Sequence, residues 1–132
     1  MKFNIQECNK VLNAQIYTAD GPKEFEKVFI DSREAIKFQS ESKQQKSIAF
    51  FAIVGEIHDA HKFVGEVIDG GCQTLFLSDE DVAEKAVLQA KKTSKNINII
   101  LVEDTTDALA KLAEYHLNRI NPKKNRNNRQ HG

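Results

Sequence analysis

Several features common in enzymes and exported proteins are missing from this sequence of 132 residues. Lysine follows none of its six glycines, so there is no G-x-x-x-x-G-K phosphate loop, and G-x-G-x-x-G, G-x-S-x-G and H-E-x-x-H motifs are also absent. No apolar run reaches the roughly 18 residues of a membrane span, and the polar N-terminus does not fit a signal peptide. We therefore expect one cytoplasmic domain without a complete catalytic apparatus of its own.

Cysteine is scarce as well. Cys8 and Cys72 lie far apart in the sequence and form no C-x-x-C motif, which favours two reduced, apolar core residues over a disulfide. A chain of 132 residues is long enough to bury a core without metal or disulfide support.

The sequence has no net charge, but its charges are unevenly distributed. Residues 121–132 contain four lysine or arginine residues and no acid, which leaves 15 basic against 19 acidic residues in the range 1–120. Because the apolar pattern also stops at position 121, we expect a folded domain over residues 1–120 and a disordered basic tail over residues 121–132. Such a tail suits weak nucleic-acid binding, although it has no aromatic residue for base stacking.

The spacing of apolar residues predicts that strands and helices alternate along the chain. This alternation predicts an α/β sandwich of three layers, in which helices flank a largely parallel sheet that is mixed at its N-terminal edge. We expect strands over residues 14–17, 27–30, 48–54, 74–77 and 97–102, helices over 5–13, 60–69, 79–92 and from 106 onward, and a solvated loop over 34–47. In the last helix, the expected apolar stripe consists of Leu109, Leu112, Ala113, Leu117 and Ile120.

Two short segments lie at predicted carboxyl ends of strands, where open α/β sheets place their ligands. In the first segment, residues 30–33, Ser32 offers a hydroxyl group and Arg33 offers a planar fork of donors that suits phosphate or carboxylate. The alternative interpretation is a surface turn in which Asp31 caps backbone amides and pairs with Arg33.

The second segment, residues 50–63, is a strand followed by a Gly55-containing loop and a helix that begins near Ala60. The backbone amides at such a helix start favour an anion. Equally, Asp59 could cap the helix and neutralise the same amides itself.

The segment also contains the cluster His58, Asp59 and His61, which resembles part of a metal site. A structural zinc ion needs four ligands, and the other histidines, His116 and His131, are predicted on a helix and in the tail. We therefore expect no metal site, and we expect His116 to be a partly buried core residue.

The order of motifs resembles that of a known family. The segments IDSR, FFAIVGEIHDAHKF, an apolar helix ending in GG, and ILVEDTTDALAKLAEYH are similar to the N-terminal domain of the Mur ligases of peptidoglycan synthesis, of the MurF and MurE types, over about residues 28–119. The resemblance implies a domain that docks the UDP end of UDP-N-acetylmuramoyl-peptide for a UDP-N-acetylmuramoyl-tripeptide--D-alanyl-D-alanine ligase and is not catalytic alone. In that family, a central ATPase domain and a C-terminal domain are the partners and use ATP and Mg, so we expect no cofactor in this chain.

The resemblance also implies roles for individual residues. Asp31, Ser32 and Arg33 match a DSR turn that faces the uracil or ribose. Asp104 and Thr105 match a D-T pair that we expect to cap the last helix. The other residues implied to contact the UDP moiety are Gly55, Glu56, Ile57 and His58 in the loop around the uridine and diphosphate, and Asp59 and His61 in a D-G-H motif.

Three departures from the family pattern leave alternatives open. Ala60 replaces the glycine of the D-G-H motif, a longer polar loop follows the DSR turn, and the sequence after the last helix, NPKKNRNNRQHG, contains no G-K-T/S loop. The leading interpretation is the docking part of a MurF-type ligase. The alternatives are a non-catalytic, free-standing interaction domain and a weak nucleic-acid binder that acts through the tail.

Overall fold

The computed structural model describes residues 2–122, so the predicted tail lies almost entirely outside the described residues. A short 3-10 helix at Ala60–Phe63 precedes helix α3. In chain order, the other elements are β1 (Phe3–Asn4), α1 (Ile5–Leu12), β2 (Gln15–Ala19), β3 (Glu24–Phe25), β4 (Lys27–Phe29), α2 (Ser32–Glu41), β5 (Ile48–Phe51), α3 (Val64–Asp69), β6 (Thr74–Leu77), α4 (Glu80–Lys92), β7 (Asn98–Leu101) and α5 (Thr105–Ile120).

Five of the strands form one sheet in the order β2-β7-β6-β5-β4. Strands β4 to β7 are parallel neighbours, and β2 pairs antiparallel with β7 at one edge. Strands β1 and β3 form a separate antiparallel pair. The prediction of a largely parallel sheet with an antiparallel N-terminal edge is confirmed.

The sheet separates two buried apolar clusters, which makes the fold a three-layer α/β sandwich as predicted. Helices α2, α3 and α4 pack on one face, where their alanines and valines meet residues such as Phe50 and Leu75. Helices α1 and α5 cover the other face, where Phe51 and Phe76 stack with their ring centroids 4.3 Å apart.

Both cysteines are buried free thiols, one in each cluster, as predicted. Burial raises the pKa of Cys8 to about 11 and that of Cys72 to about 12, so both remain protonated and unreactive near neutral pH.

None of the described helices combines the length and the apolar character needed to cross a membrane.

The predicted loop over residues 34–47 is wrong over its first half, because α2 runs to Glu41. Asp31 caps this helix, and Ala35 and Gln39, one turn apart, are both buried. The Gln39 Nε2 atom donates to the carbonyl oxygens of Lys46 and Gly71, and its Oε1 atom accepts the backbone N–H of Lys46. Gln39 occupies a buried position of the helix, and its partners are set by the tertiary structure. Because a polar residue at this position interrupts the apolar period, the sequence pattern does not reveal the helix.

The predicted stripe of α5 is also partly wrong. The buried residues are Thr105, Ala108 and Leu112, whereas Leu117 and Ile120 are each more than half exposed. Four-residue strands span about 13 Å, whereas this helix of 16 residues spans about 24 Å. Its last turns therefore extend past the strands, in line with the exposure of Leu117 and Ile120.

Candidate functional site

The two segments singled out in the sequence meet at one cavity of about 600 Å³, beyond the carboxyl ends of β4 and β5. Of the nine residues predicted to form the site, four line this cavity. The other five belong to the same chain segment as His58 but do not line it: Gly55, Glu56, Ile57, Asp59 and His61. The complete lining is Ile30, Asp31, Ser32, Arg33, His58, Ala60, Phe63 and Glu66.

On one side, the cavity is bordered by the start of α2. The Oδ1 atom of Asp31 accepts hydrogen bonds from the backbone N–H groups of Arg33 (2.8 Å) and Glu34 (3.4 Å). The Nε atom of Arg33 lies 3.8 Å from the same oxygen, and the Arg33 side chain is 91% exposed. This confirms the interpretation of Asp31 as a cap that pairs with Arg33.

Ser32 is the buried polar residue of this border, with 7% exposure. Its hydroxyl group makes no hydrogen bond within residues 2–122. Ser32 and the exposed Arg33 guanidinium are therefore the groups of α2 that can bind a ligand in the cavity.

The opposite border is a hairpin over residues 53–60, which we call the 53–60 hairpin. Val54 and Asp59 form an antiparallel bridge, which is flanked by hydrogen bonds from Gly55 N–H to the His58 carbonyl (2.7 Å) and from Ala60 N–H to the Ile53 carbonyl (3.0 Å). A Cβ atom at Gly55 would stand 3.2 Å from the His58 oxygen, so this tight turn favours glycine.

The tip of this hairpin keeps its backbone donors exposed. Within the described residues, the N–H groups of Glu56, Ile57 and His58 donate no hydrogen bond; we call these three groups the tip amides. The Ile57 side chain is 87% exposed. The tip amides are therefore available to an anionic or polar ligand.

The 3-10 helix that follows the hairpin is capped by its own aspartate. Asp59 Oδ1 accepts the backbone N–H of His61 at 2.9 Å, and the N–H of Ala60 is already bound within the hairpin. The interpretation of Asp59 as the N-cap is thus confirmed, and the amides of this helix start are not an open anion site.

His61 is buried beneath the hairpin, with 2% of its side chain exposed. Its Nδ1 atom lies 2.7 Å from Asp59 Oδ1, and its Nε2 atom lies 2.9 Å from the backbone nitrogen of Ser78. Burial acts to raise the pKa of Asp59, but the hydrogen bonds from the backbone and ring of His61 prevail and hold it below its ordinary value.

Because both ring nitrogens of His61 are occupied, this histidine cannot join His58 as a metal ligand. Within residues 2–122, no group of three or more histidine, cysteine or carboxylate side chains is arranged to hold a metal ion.

His116 is partly buried, as expected, and its ring centroid lies 5.3 Å from that of Phe3.

Six residues around the site are not among the nine that were predicted to form it. Four of them line the cavity, where Glu66 contributes a negative charge that disfavours an anion: Ile30, Ala60, Phe63 and Glu66. Ser78 and Thr105 support the chain on the two sides of the hairpin: the Thr105 hydroxyl donates to the Ala52 carbonyl at 2.7 Å just before it, and the Ser78 N–H donates to His61 just after it. Ser78 and Thr105 each follow a predicted strand, which is the signal that could have located them.

A second cleft, of about 550 Å³, lies at the start of α5 and is a poorer anion site. Its lining includes Glu103, Asp104 and Asp107, against the single cation of Lys111. Asp104 caps α5 by accepting the N–H of Asp107 at 2.9 Å, as expected for the D-T pair. The cavity at β4 and β5 is taken as the candidate site because both segments singled out in the sequence line it.

Comparisons with known proteins find similarity to ligases of the MurF type. No family model matches the sequence. A UDP-N-acetylmuramoyl-tripeptide--D-alanyl-D-alanine ligase of Haemophilus influenzae is 25% identical over 123 residues, which are 93% of this chain and 22% of the relative. The crystal structure of MurF from Acinetobacter baumannii aligns with a TM-score of 0.63 and 25% identity, over 90% of this chain and 22% of that one. The chain is similar to one part of MurF.

The similarity to MurF confirms the resemblance that the motifs predicted, and it confirms the α/β fold class. It extends over most of this chain but over only 22% of each MurF relative. The similarity therefore concerns one region of a ligase, and the remaining 78% of those proteins has no counterpart in it.

Proposed function

We propose that this chain is the substrate-docking domain of a MurF-type ligase of peptidoglycan synthesis, and that it binds the uridine diphosphate end of a UDP-N-acetylmuramoyl-peptide in the cytoplasm. The observation that carries the proposal is that both motif segments line one cavity, in a chain that matches MurF over 93% of its length. The proposed domain is residues 1–120, followed by the basic tail over residues 121–132.

Three kinds of donor support nucleotide binding in this cavity. The Arg33 guanidinium is exposed and fits a phosphate oxygen pair, and the Ser32 hydroxyl can bind ribose or uracil oxygen atoms. The tip amides add unpaired backbone donors on the 53–60 hairpin, and of their three residues His58 lines the cavity. The cavity is thus lined by donor-bearing residues of two separate elements, which suits an elongated ligand.

The same geometry sets a limit on affinity. Asp31 and Asp59 occupy the helix starts on both sides, so a diphosphate gains no direct contact with those amides. Glu66 also repels an anion in the cavity. We therefore expect weak binding of UDP, with a Kd between micromolar and millimolar.

Weak binding is compatible with the proposed role, because a docking domain acts by position. Contact with the remote nucleotide would hold the peptide end of the substrate near the phosphoryl donor of the ligase's other domains, and would use binding energy for orientation. This chain would not ligate anything alone, and the ATP and Mg of the reaction belong to those other domains.

The proposal is tested by titrating UDP and UMP into the 15N-labelled chain and following backbone and side-chain resonances. We expect saturable shifts at the tip amides and at Ser32, and Arg33→Ala should weaken UDP binding by about 1.5–3 kcal/mol if the guanidinium meets a phosphate. Arg119→Ala is the matched control, because Arg119 packs on Tyr115 of α5, far from the cavity in the fold.

Two results would contradict the proposal. Equal UDP affinity of Arg33→Ala and Arg119→Ala would remove Arg33 from the site. The absence of saturable shifts around the cavity with UDP, UMP and the complete UDP-muramoyl-peptide, in a folded protein, would reject the docking function and favour a non-catalytic interaction domain.

A further inference from the structure

The ring of His61 is one of the few buried polar side chains of the fold, and it lies between the candidate site and a neighbouring strand. Its Nε2 atom faces the backbone nitrogen of Ser78, just past the end of β6, at 2.9 Å. Its Nδ1 atom faces the Asp59 carboxylate, at the base of the 53–60 hairpin, at 2.7 Å. The ring therefore bridges two segments that are 19 positions apart in the chain.

The chemistry of these two partners fixes the state of the ring. A backbone N–H can only donate, so the Nε2 atom that faces Ser78 must be an unprotonated acceptor. An ionised carboxylate can only accept, so the Nδ1 atom that faces Asp59 must carry the proton. His61 is therefore neutral, and neither of its ring nitrogens is available to a ligand.

We propose that His61 is a positioning residue of the candidate site, which holds Asp59 and Ser78 at the same time and so fixes the base of the 53–60 hairpin. The ring itself does not contact the ligand. The consequence for ligand binding rests on the proposed function, whereas the consequence for the hairpin does not.

The base of the hairpin is held by two sets of contacts from other elements. His61 links Asp59 to the backbone of Ser78, just past the end of β6, and the Thr105 hydroxyl at the start of α5 donates to the Ala52 carbonyl. Along the hairpin, the bridge between Val54 and Asp59 and the hydrogen bond from Gly55 N–H to the His58 carbonyl connect this base to the tip. Movement of Asp59 would therefore be transmitted to the tip amides.

A fixed hairpin matters because its tip has little packing of its own. Ile57 is 87% exposed, so the tip amides are held by the hydrogen bonds of the hairpin and by its base, and not by packing of the tip. Donors that already point at a ligand do not have to be ordered during binding, which saves affinity otherwise lost to conformational entropy. His61 would thus contribute to affinity without touching the nucleotide.

The first test needs no ligand and uses the full wild-type chain. 15N NMR of the His61 ring should show a protonated Nδ1 and an unprotonated Nε2, and the Ser78 amide should be protected from hydrogen exchange. The opposite tautomer, or an unprotected Ser78 amide, would overturn the proposal.

The second test uses variants that separate the two hydrogen bonds. His61→Gln keeps an acceptor near the Nε2 position, whereas His61→Phe keeps the ring shape and removes both bonds. We expect His61→Phe to speed exchange of the Ser78 amide and to weaken UDP binding about tenfold, in line with the loss of two partly buried hydrogen bonds, and His61→Gln to restore most of both. His116→Phe is the control, since it changes a partly buried histidine on α5.

The outcomes separate this proposal from the proposed function. If the wild-type chain does not bind UDP, but His61→Phe still shifts the tip amides and exposes the Ser78 amide, the docking function fails and the positioning role stands. If UDP binds wild type and His61→Phe equally well, with unchanged tip resonances, the positioning role fails and the docking function stands. Should His61→Phe not fold, the wild-type ring spectrum and the protection of the Ser78 amide still decide whether His61 holds Ser78.

Discussion

Two helix starts border the candidate site, and both are built from an aspartate, a small residue and a basic residue: the DSR start (residues 31–33) and the DAH start (residues 59–61). In each, Oδ1 of the aspartate accepts the backbone N–H two positions on, at 2.8 Å in the first and 2.9 Å in the second. The basic side chains then differ. Arg33 is 91% exposed, whereas the ring of His61 is 2% exposed and lies 2.7 Å from its aspartate.

The difference shows that the local motif sets the backbone, while a distant contact sets the role of the basic residue. His61 is buried because the N–H of Ser78 supplies a second partner for its ring. The described structure gives Arg33 no partner beyond its aspartate, so its guanidinium stays in solvent. Arg33 can therefore exchange its contact with Asp31 for a ligand, whereas displacement of the His61 ring would break both of its hydrogen bonds.

The largest expected effect contrasts the two basic residues in stability. His61→Phe should lower the free energy of unfolding by about 2–4 kcal/mol, because it leaves the Ser78 N–H and the Asp59 carboxylate without a buried partner. Arg33→Met should change it by less than about 0.5 kcal/mol, as expected of an exposed side chain. Urea unfolding at neutral pH, followed by circular dichroism, measures both. Equal effects of the two substitutions would abolish the contrast between the two helix starts.

Most of the fold was predictable because it depends on local apolar runs. Strand β6 was predicted over the residues that form it. Helix α4 was predicted over residues 79–92, and in the structure Asp79 is its cap and the helix is Glu80–Lys92. Helix α2 was missed because Gln39 occupies a core-facing position, and its polar contacts with Lys46 and Gly71 are invisible in the sequence. A periodic pattern cannot identify a polar residue that is satisfied only by tertiary contacts.

The site was predictable as a location and less so in its details. The sequence placed both segments at strand ends, and the parallel sheet brings Ser32, Arg33 and His58 to one cavity. It could not distinguish His61 as a buried bridge, because its partner Ser78 lies 17 positions away. The assignment of the nine residues to UDP binding remains a prediction.

The next effect concerns the two aspartates. Both Asp31→Ala and Asp59→Ala remove an N-cap, which typically costs about 1 kcal/mol. Asp59→Ala should cost about 2 kcal/mol, because it also removes the acceptor of the buried His61 ring. Thermal or urea unfolding of the two variants gives the difference directly. If Asp31→Ala proved the more damaging, the DSR start and not the DAH start would be the structural support of the site.

A smaller effect should appear when the pH is lowered. The pKa of Asp59 lies below its ordinary value in the folded protein, although burial opposes this, because the His61 backbone and ring donate to it. Its stabilisation is therefore complete above the unfolded pKa of about 3.9 and is lost as the pH falls through the lower folded value. Urea unfolding between about pH 5 and 3, around that carboxyl pKa, should show a steeper loss for wild type than for Asp59→Asn.

His61→Phe serves as the partner variant in this experiment. It removes the ring donor while keeping the Asp59 carboxylate, so its stability should fall less steeply with acidification than that of wild type. A wild-type slope equal to the slopes of both variants would show that the Asp59 and His61 pair does not contribute to acid sensitivity.

The smallest expected effect comes from the middle residue of each helix start. Ala60→Gly, which restores the glycine of the family motif, should cost about 0.5–1 kcal/mol of stability through backbone entropy. It should not tighten UDP binding, because the Ala60 N–H already donates to the Ile53 carbonyl at 3.0 Å and is not available to a phosphate. Ser32→Gly should have a similar backbone cost, but it should also weaken UDP binding, since it removes the hydroxyl that lines the cavity. Unfolding and UDP titration of the two variants test the contrast, and a tenfold gain in affinity from Ala60→Gly would mean that the DAH start opens toward the ligand.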